Sequence, residues 1–129
     1  MRYFSHNERA KGMKVVNLAE KLSRIDTHWD PKVVAGYDGN DIMVVKFQGA
    51  FPFHVHPDTD DFFPVIEGEV TLDVGEEVHV LGPGELLVVP KGVRHRPRAE
   101  REAKVLLIEP AGTPNTGDPA TAAAAKGRI

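Results

Sequence analysis

Between Val33 and Pro110 the chain is punctuated by glycine, proline and acidic residues, and the apolar runs between them are too short for amphipathic helices. These runs cover residues 32–35, 42–47, 65–66, 70–74, 78–81, 86–89 and 105–108. Val70, Leu72 and Val74 alternate with Thr71 and Asp73, the period of a strand with one face buried. Gly75-Glu76-Glu77 then supplies a tight reversal into Val78-His79-Val80. Short strands at this spacing, with no room for crossover helices, predict an all-β antiparallel sandwich or barrel.

A chain of 129 residues suffices for one such core and is too short for two. Residues 1–12 read as a polar N-terminal extension, with Met13-Lys14-Val15-Val16 as a fresh start. Asn17 is placed to cap a short helix over Leu18–Ser23, where Ala19, Glu20, Lys21 and Leu22 are good helix formers. Residues 13–110 are therefore expected to form the barrel domain, led by a short helical or extended segment. Residues 111–129, rich in Gly, Pro, Thr and Ala, are expected to be a flexible tail whose only local order is a frayed turn at 122–125.

Composition narrows the function. The net charge of -3 argues against a general nucleic-acid binder. No apolar run approaches the roughly 18 residues of a membrane span. The first residues lack the apolar stretch of a secretory signal, so a cytoplasmic location is the expectation. With no cysteine, disulfides, thiolate ligands and cysteine nucleophiles are excluded. One basic cluster stands out: Lys91, Arg94, Arg96, Arg98, Arg101 and Lys104. It reads either as a solvated strand edge protected against pairing or as a positive rim for an anionic substrate.

The chemistry concentrates in two segments. In His54-Val55-His56 the two imidazoles at i and i+2 of an extended strand share a face. Asp61 follows a proline-containing turn and can return a carboxylate to the same point, with Asp58 and Asp60 as competitors. His95 follows the turn Pro90-Lys91-Gly92. Three imidazoles and a carboxylate suit one divalent transition metal (Fe, Mn, Ni, Zn or Cu) better than calcium or magnesium. Alone, a His-x-His pair is equally the mark of a solvated strand face.

The two segments together resemble the cupin motifs. The first reads Gly49, His54, His56, then Asp61 and, after six intervening residues, Gly68. The second reads Gly84, Pro90, Gly92, His95 and Ala99, and fifteen residues separate Gly68 from Gly84. The chain departs from the pattern in three places: one residue fewer between Gly49 and His54, Ala99 for the terminal Asn, and Asp61 for the glutamate ligand. The segment Thr27-His28-Trp29-Asp30-Pro31 and the Glu109-Pro110-Ala111-Gly112 stretch are similar to small bacterial cupins often labelled mannose-6-phosphate isomerase-like. The resemblance implies a double-stranded β-helix (jelly-roll barrel), a homodimer, and His54, His56, Asp61 and His95 as metal ligands. It implies a metalloenzyme of isomerase or dioxygenase type acting on a small polar or anionic metabolite, or else a non-catalytic small-molecule binder or sensor.

The remaining candidates are weighed residue by residue. Lys46 interrupts the apolar run 42–47 and is a candidate substrate-binding cation. Phe47, Phe51, Phe53, Phe62 and Phe63 read as barrel packing or dimer contact before aromatic recognition. His28 reads as structural and His79 as solvent-exposed. No catalytic acid or base is legible beyond the ligands.

Overall fold

The computed structural model describes residues 13–118 and 126–129. The expected extension at 1–12 and the turn at 122–125 lie outside these. A six-residue helix, α1 (Leu18–Ser23), begins where the sequence places it, with the Asn17 side chain accepting the Glu20 N–H at 3.0 Å. Nine strands follow among the described residues: β1 (Lys32–Tyr37), β2 (Asn40–Ala50), β3 (Asp61–Phe62), β4 (Val65–Glu67), β5 (Val70–Val74), β6 (Glu77–Leu81), β7 (Val88–Val89), β8 (His95–Pro110) and β9 (Gly127–Arg128). One sheet runs β6-β5-β8-β2-β1-β9, with β4 also pairing β8, and β3 pairs β7 in a second. The fold is an all-β jelly-roll barrel. No helix among the described residues is long and apolar enough to cross a membrane.

β2 shows why its run is apolar on both faces. Met43, Val45 and Phe47 turn into the barrel beside Val33, Phe63, Val105 and Leu107. Val44 turns outward and is sealed beneath Leu22 and Ile25 of the helical segment. Burying a side chain of that size contributes about 1.5–3 kcal/mol, which fastens α1 to the barrel wall.

β8 is the longest strand, and only its second half was apolar enough to read from sequence. Its first half alternates Arg96 and Arg98 outward with Pro97 and Ala99 inward. The strand also bends. Residues 100–102 are all exposed, and the register with β2 moves from Gly49↔Ala99 to Phe47↔Ala103, leaving two extra residues on β8. A straight run from His95 to Glu109 would span about 46 Å at the usual rise. The bend lets both ends of β8 serve one interior. Gly68 packs against the strand just past this bend. A Cβ there would lie 3.0 Å from the Ala103 Cα, and its φ is 87°.

The tail differs from the expectation of a flexible segment. Its last residues return to the barrel, where β9 pairs parallel with β1. Lys21 Nζ donates to the Ile129 carbonyl at 2.7 Å, and Ile129 packs beside Leu22. Earlier in the tail, Gly117 crosses the strand carrying the histidine pair so closely that a Cβ would overlap the Val55 carbonyl oxygen.

Candidate metal centre

The two histidine segments are joined through their backbones. The His54 N–H donates to the His95 carbonyl at 2.9 Å, and the His95 N–H donates back at 3.0 Å. In such an antiparallel pair both side chains project from one face. The turn before His95 is fixed as well, since the Gly92 N–H donates to the His56 carbonyl at 2.9 Å.

Both rings of this pair are oriented by the same local device. His54 Nδ1 lies 2.9 Å from the Pro52 carbonyl and His95 Nδ1 lies 2.9 Å from the Val93 carbonyl, each two residues back. A carbonyl accepts only, so each Nδ1 carries the proton and each Nε2 presents a lone pair. Burial holds the His54 imidazole down at about 4, with the Pro52 bond opposing, and burial also lowers His56, with Asp61 opposing. The rings are therefore neutral near pH 7, the state a metal ligand requires.

β3 opens on Asp61, which its pairing with Val89 brings under the histidines. Its Oδ2 lies 3.3 Å from His95 Nε2 and 3.4 Å from His56 Nε2. One ligand atom from each of His54, His56, Asp61 and His95 lies within 4.8 Å of all the others. The shorter side chain reaches the site after all. Asp60 is occupied elsewhere, accepting the Lys91 N–H at 2.9 Å, and Asp58 is exposed. Three imidazoles and a carboxylate in this arrangement fit a divalent transition metal.

His54 and Asp61 open into a cavity at the barrel mouth. Its walls are largely aromatic: Trp29 stacks on Phe47 at 4.3 Å between ring centres and lies 5.2 Å from Phe51, with Phe63 behind. These phenylalanines thus both pack the barrel and face the cavity. Phe53 does neither, lying beneath the Arg94 and Arg96 guanidiniums.

Lys46 is not among the residues lining this cavity; its ammonium donates to the Ile25 carbonyl, on the side of α1. The bulge at Gly49 separates it from the parity of the histidines. Three of the six residues of the basic cluster are paired with acids. Arg96 and Arg98 both bind Asp73, at 2.9 and 2.8 Å, and Lys104 binds Glu67 at 2.7 Å.

The sequence reading missed two cavity residues, Glu109 and Lys126. Glu109 is 7% exposed, and burial pushes its carboxyl up to about 7 despite Lys126 at 3.4 Å, with the Asp61 charge adding to the rise. A signal was available, because Glu109 shares the inward parity of Ala103, Val105 and Leu107.

A rolled β-sheet that gathers three histidines and a carboxylate beside a cavity defines a class of small β-barrel with a group of side chains able to hold a metal ion. The family described as "Cupin domain" matches residues 41–109, and the chain belongs to the cupin family. It is 36% identical over 69 residues to the uncharacterized protein YdbB of Bacillus subtilis, covering 53% of this chain and 61% of that relative's length. A cupin-2 domain containing protein from Shewanella frigidimarina shares the structure with a TM-score of 0.73 and 40% identity, over 74% of this chain and 94% of that one. Hydroquinone 1,2-dioxygenase PnpCD shares the fold at a TM-score of 0.71 and 20% identity, over 91% of this chain and 38% of that one.

Proposed function

We propose that the chain binds one divalent transition metal through His54, His56, Asp61 and His95 and is an enzyme acting on a small organic molecule held in the aromatic cavity. The observation that carries this reading is that two of the four ligands, His54 and Asp61, also line the cavity. When bound, the metal supplies Lewis-acid chemistry and, with iron or copper, redox chemistry.

The chain's own residues supply the rest. The Pro52 and Val93 carbonyls fix two imidazoles, so the donor atoms are oriented before any ligand arrives. The Trp29, Phe47 and Phe51 rings exclude water from the wall and favour a flat, apolar body. Glu109, with its carboxyl near neutrality, can take or give a proton at the cavity wall.

Dioxygenase-type chemistry is the leading reaction class. Hydroquinone 1,2-dioxygenase PnpCD, which contains a barrel of the same fold, is in complex with Fe3+, and this supports the reading. Isomerisation is the second reading, and Glu109 favours it as a proton-transfer group. Metal analysis of protein purified without a histidine tag tests the central claim. Stoichiometric metal, lost in His54→Ala and His95→Ala, is expected, and no metal at any loading would overturn it. Oxygen uptake with small aromatic and hydroxylated compounds then separates oxygenation from isomerisation, the latter read as solvent deuterium entering the product. A metal-loaded protein that binds such compounds without turnover would be a sensor.

A further inference from the structure

Glu109 sits where a carboxylate needs a reason. It faces a barrel interior made of Val45, Phe47 and Leu107, and an ionised carboxylate there is costly unless it is paired and hydrogen-bonded. The pairing it has is incomplete. Lys126 Nζ stands 3.4 Å from Oε2, longer than the roughly 2.7–2.9 Å of a good charge-assisted bond. Its other bond, at 2.8 Å, goes to the Thr113 carbonyl, so one of its three donors is uncommitted. Glu109 Oε1 makes no hydrogen bond, yet no sealed polar side-chain atom among the described residues lacks a partner. That oxygen is therefore accessible, and the space it reaches is the cavity that Glu109 lines.

A closed structural ion pair would look different, with a short bidentate contact and no open valence. Here a cation and a carboxylate each keep one position toward a pocket whose other walls are mostly apolar and include the rings of Trp29, Phe47, Phe51 and Phe63. The pair also shares its space with the metal ligands: the Lys126 charge acts on His56, and the Asp61 charge acts on Glu109.

We propose that Lys126 and Glu109 form the polar end of this cavity and that it takes a small aromatic molecule bearing an acidic oxygen, the ring lying against Trp29, Phe47 and Phe51 and the oxygen on the Lys126 ammonium. This inference rests on the cavity being the substrate site of the proposed metalloenzyme. A ring carboxylate and a phenol share the recognised chemistry and differ at Glu109. A carboxylate is repelled by an ionised Glu109, whereas a phenol donates its O–H to the open oxygen.

The chain supplies its own reporter, because Trp29 is its one tryptophan and lines the cavity. Trp29 fluorescence is titrated with benzoate and with phenol, on metal-loaded and metal-stripped protein. Saturable quenching is expected, weakened at least about tenfold in Lys126→Met, the loss of a hydrogen bond to a charged group. Glu109→Gln is expected to tighten benzoate and weaken phenol; a stronger response to one probe identifies the oxygen the site prefers. Benzamide, an uncharged match to benzoate, tests the same point without a substitution and is expected to bind at least about tenfold more weakly. Equal affinity for benzoate and benzamide, or unchanged binding of both probes in Lys126→Met, would overturn the proposal and leave the pair as a clamp on the C-terminal segment. Absence of saturable quenching by either probe would overturn it too. The rings and the pair are present without metal, so a failure of metal binding leaves the titration of stripped protein readable.

Discussion

The cavity has two polar regions that were built by different means. The histidine region comes from two segments whose backbones are hydrogen-bonded to each other, and two of its three rings, His54 and His95, are each set by a carbonyl two residues away. The Glu109–Lys126 region comes from the end of a bent sixteen-residue strand and from a chain end that returns to dock beside β1. The first is fixed by strand pairing inside the barrel and by short ring-to-carbonyl contacts, and the second by the return of the C-terminal segment. The first should therefore survive disturbance of the tail, and the second should not.

The largest expected effect bears on the first region alone. Asp61→Asn keeps the size of the side chain but removes the charge, and metal affinity should fall by more than the roughly 10–100-fold typical of losing an outer partner. Glu109→Gln should leave metal content unchanged. Metal analysis after gel filtration checks both, and equal metal loss in the two variants would mean that the regions are one unit.

The next effect is a pH dependence that differs in sign between the regions. In metal-free protein the imidazoles of His54 and His56 are held below 6.5, so the unfolded chain binds more protons over the interval beneath that value. Stability should then fall as pH drops from about 6.5 toward about 4, and His54→Ala should flatten the slope. Glu109 is raised from 4.5 to about 7, so there the folded state holds the proton more tightly. Its contribution is present below pH 4.5 and is lost as pH rises through about 7, and Glu109→Gln should remove that loss. Thermal melts across pH 4–9 separate the two slopes.

A smaller effect concerns the chain end. Gly117→Ala places a methyl on the Val55 carbonyl oxygen and should lift the tail from the barrel. Proteolysis of residues 111–129 should become faster while metal content holds. The smallest effect is Asp73→Asn, which releases Arg96 and Arg98 on the outer surface. Screened surface pairs contribute little, so a melting shift of no more than a few degrees is expected, shrinking further in high salt.

The same division explains what was legible in the sequence. Helix α1 and its Asn17 cap depend on neighbours three residues away and were read to the residue. His54, His56 and His95 were read because strand parity and motif spacing are properties of short stretches. Asp61 rested on position, and β3 supplies the approach that its shorter side chain lacks. β8 was under-read, since Arg96 and Arg98 alternate with Pro97 and Ala99 and dilute its apolar signal. The run 86–89 was over-read, and only Val88–Val89 pairs. Lys46 was placed by extending parity across Gly49, where the register slips. Glu109 and Lys126 meet only because the chain end returns, and no local pattern announces that return.

The backbone pair between His54 and His95 has one more consequence, for how a metal would enter the proposed site. Donor atoms that are already gathered need no folding step, so uptake should be fast and should leave the circular dichroism of the strands unchanged. A site preformed from three nitrogens and one oxygen follows the general affinity order of first-row ions, with copper ahead of zinc and both ahead of iron and manganese, whichever ion the chain needs. Which ion occupies it is then decided by supply rather than by the chain. Protein grown in media of different metal content should carry different ions in the same place, and its activity should follow the medium.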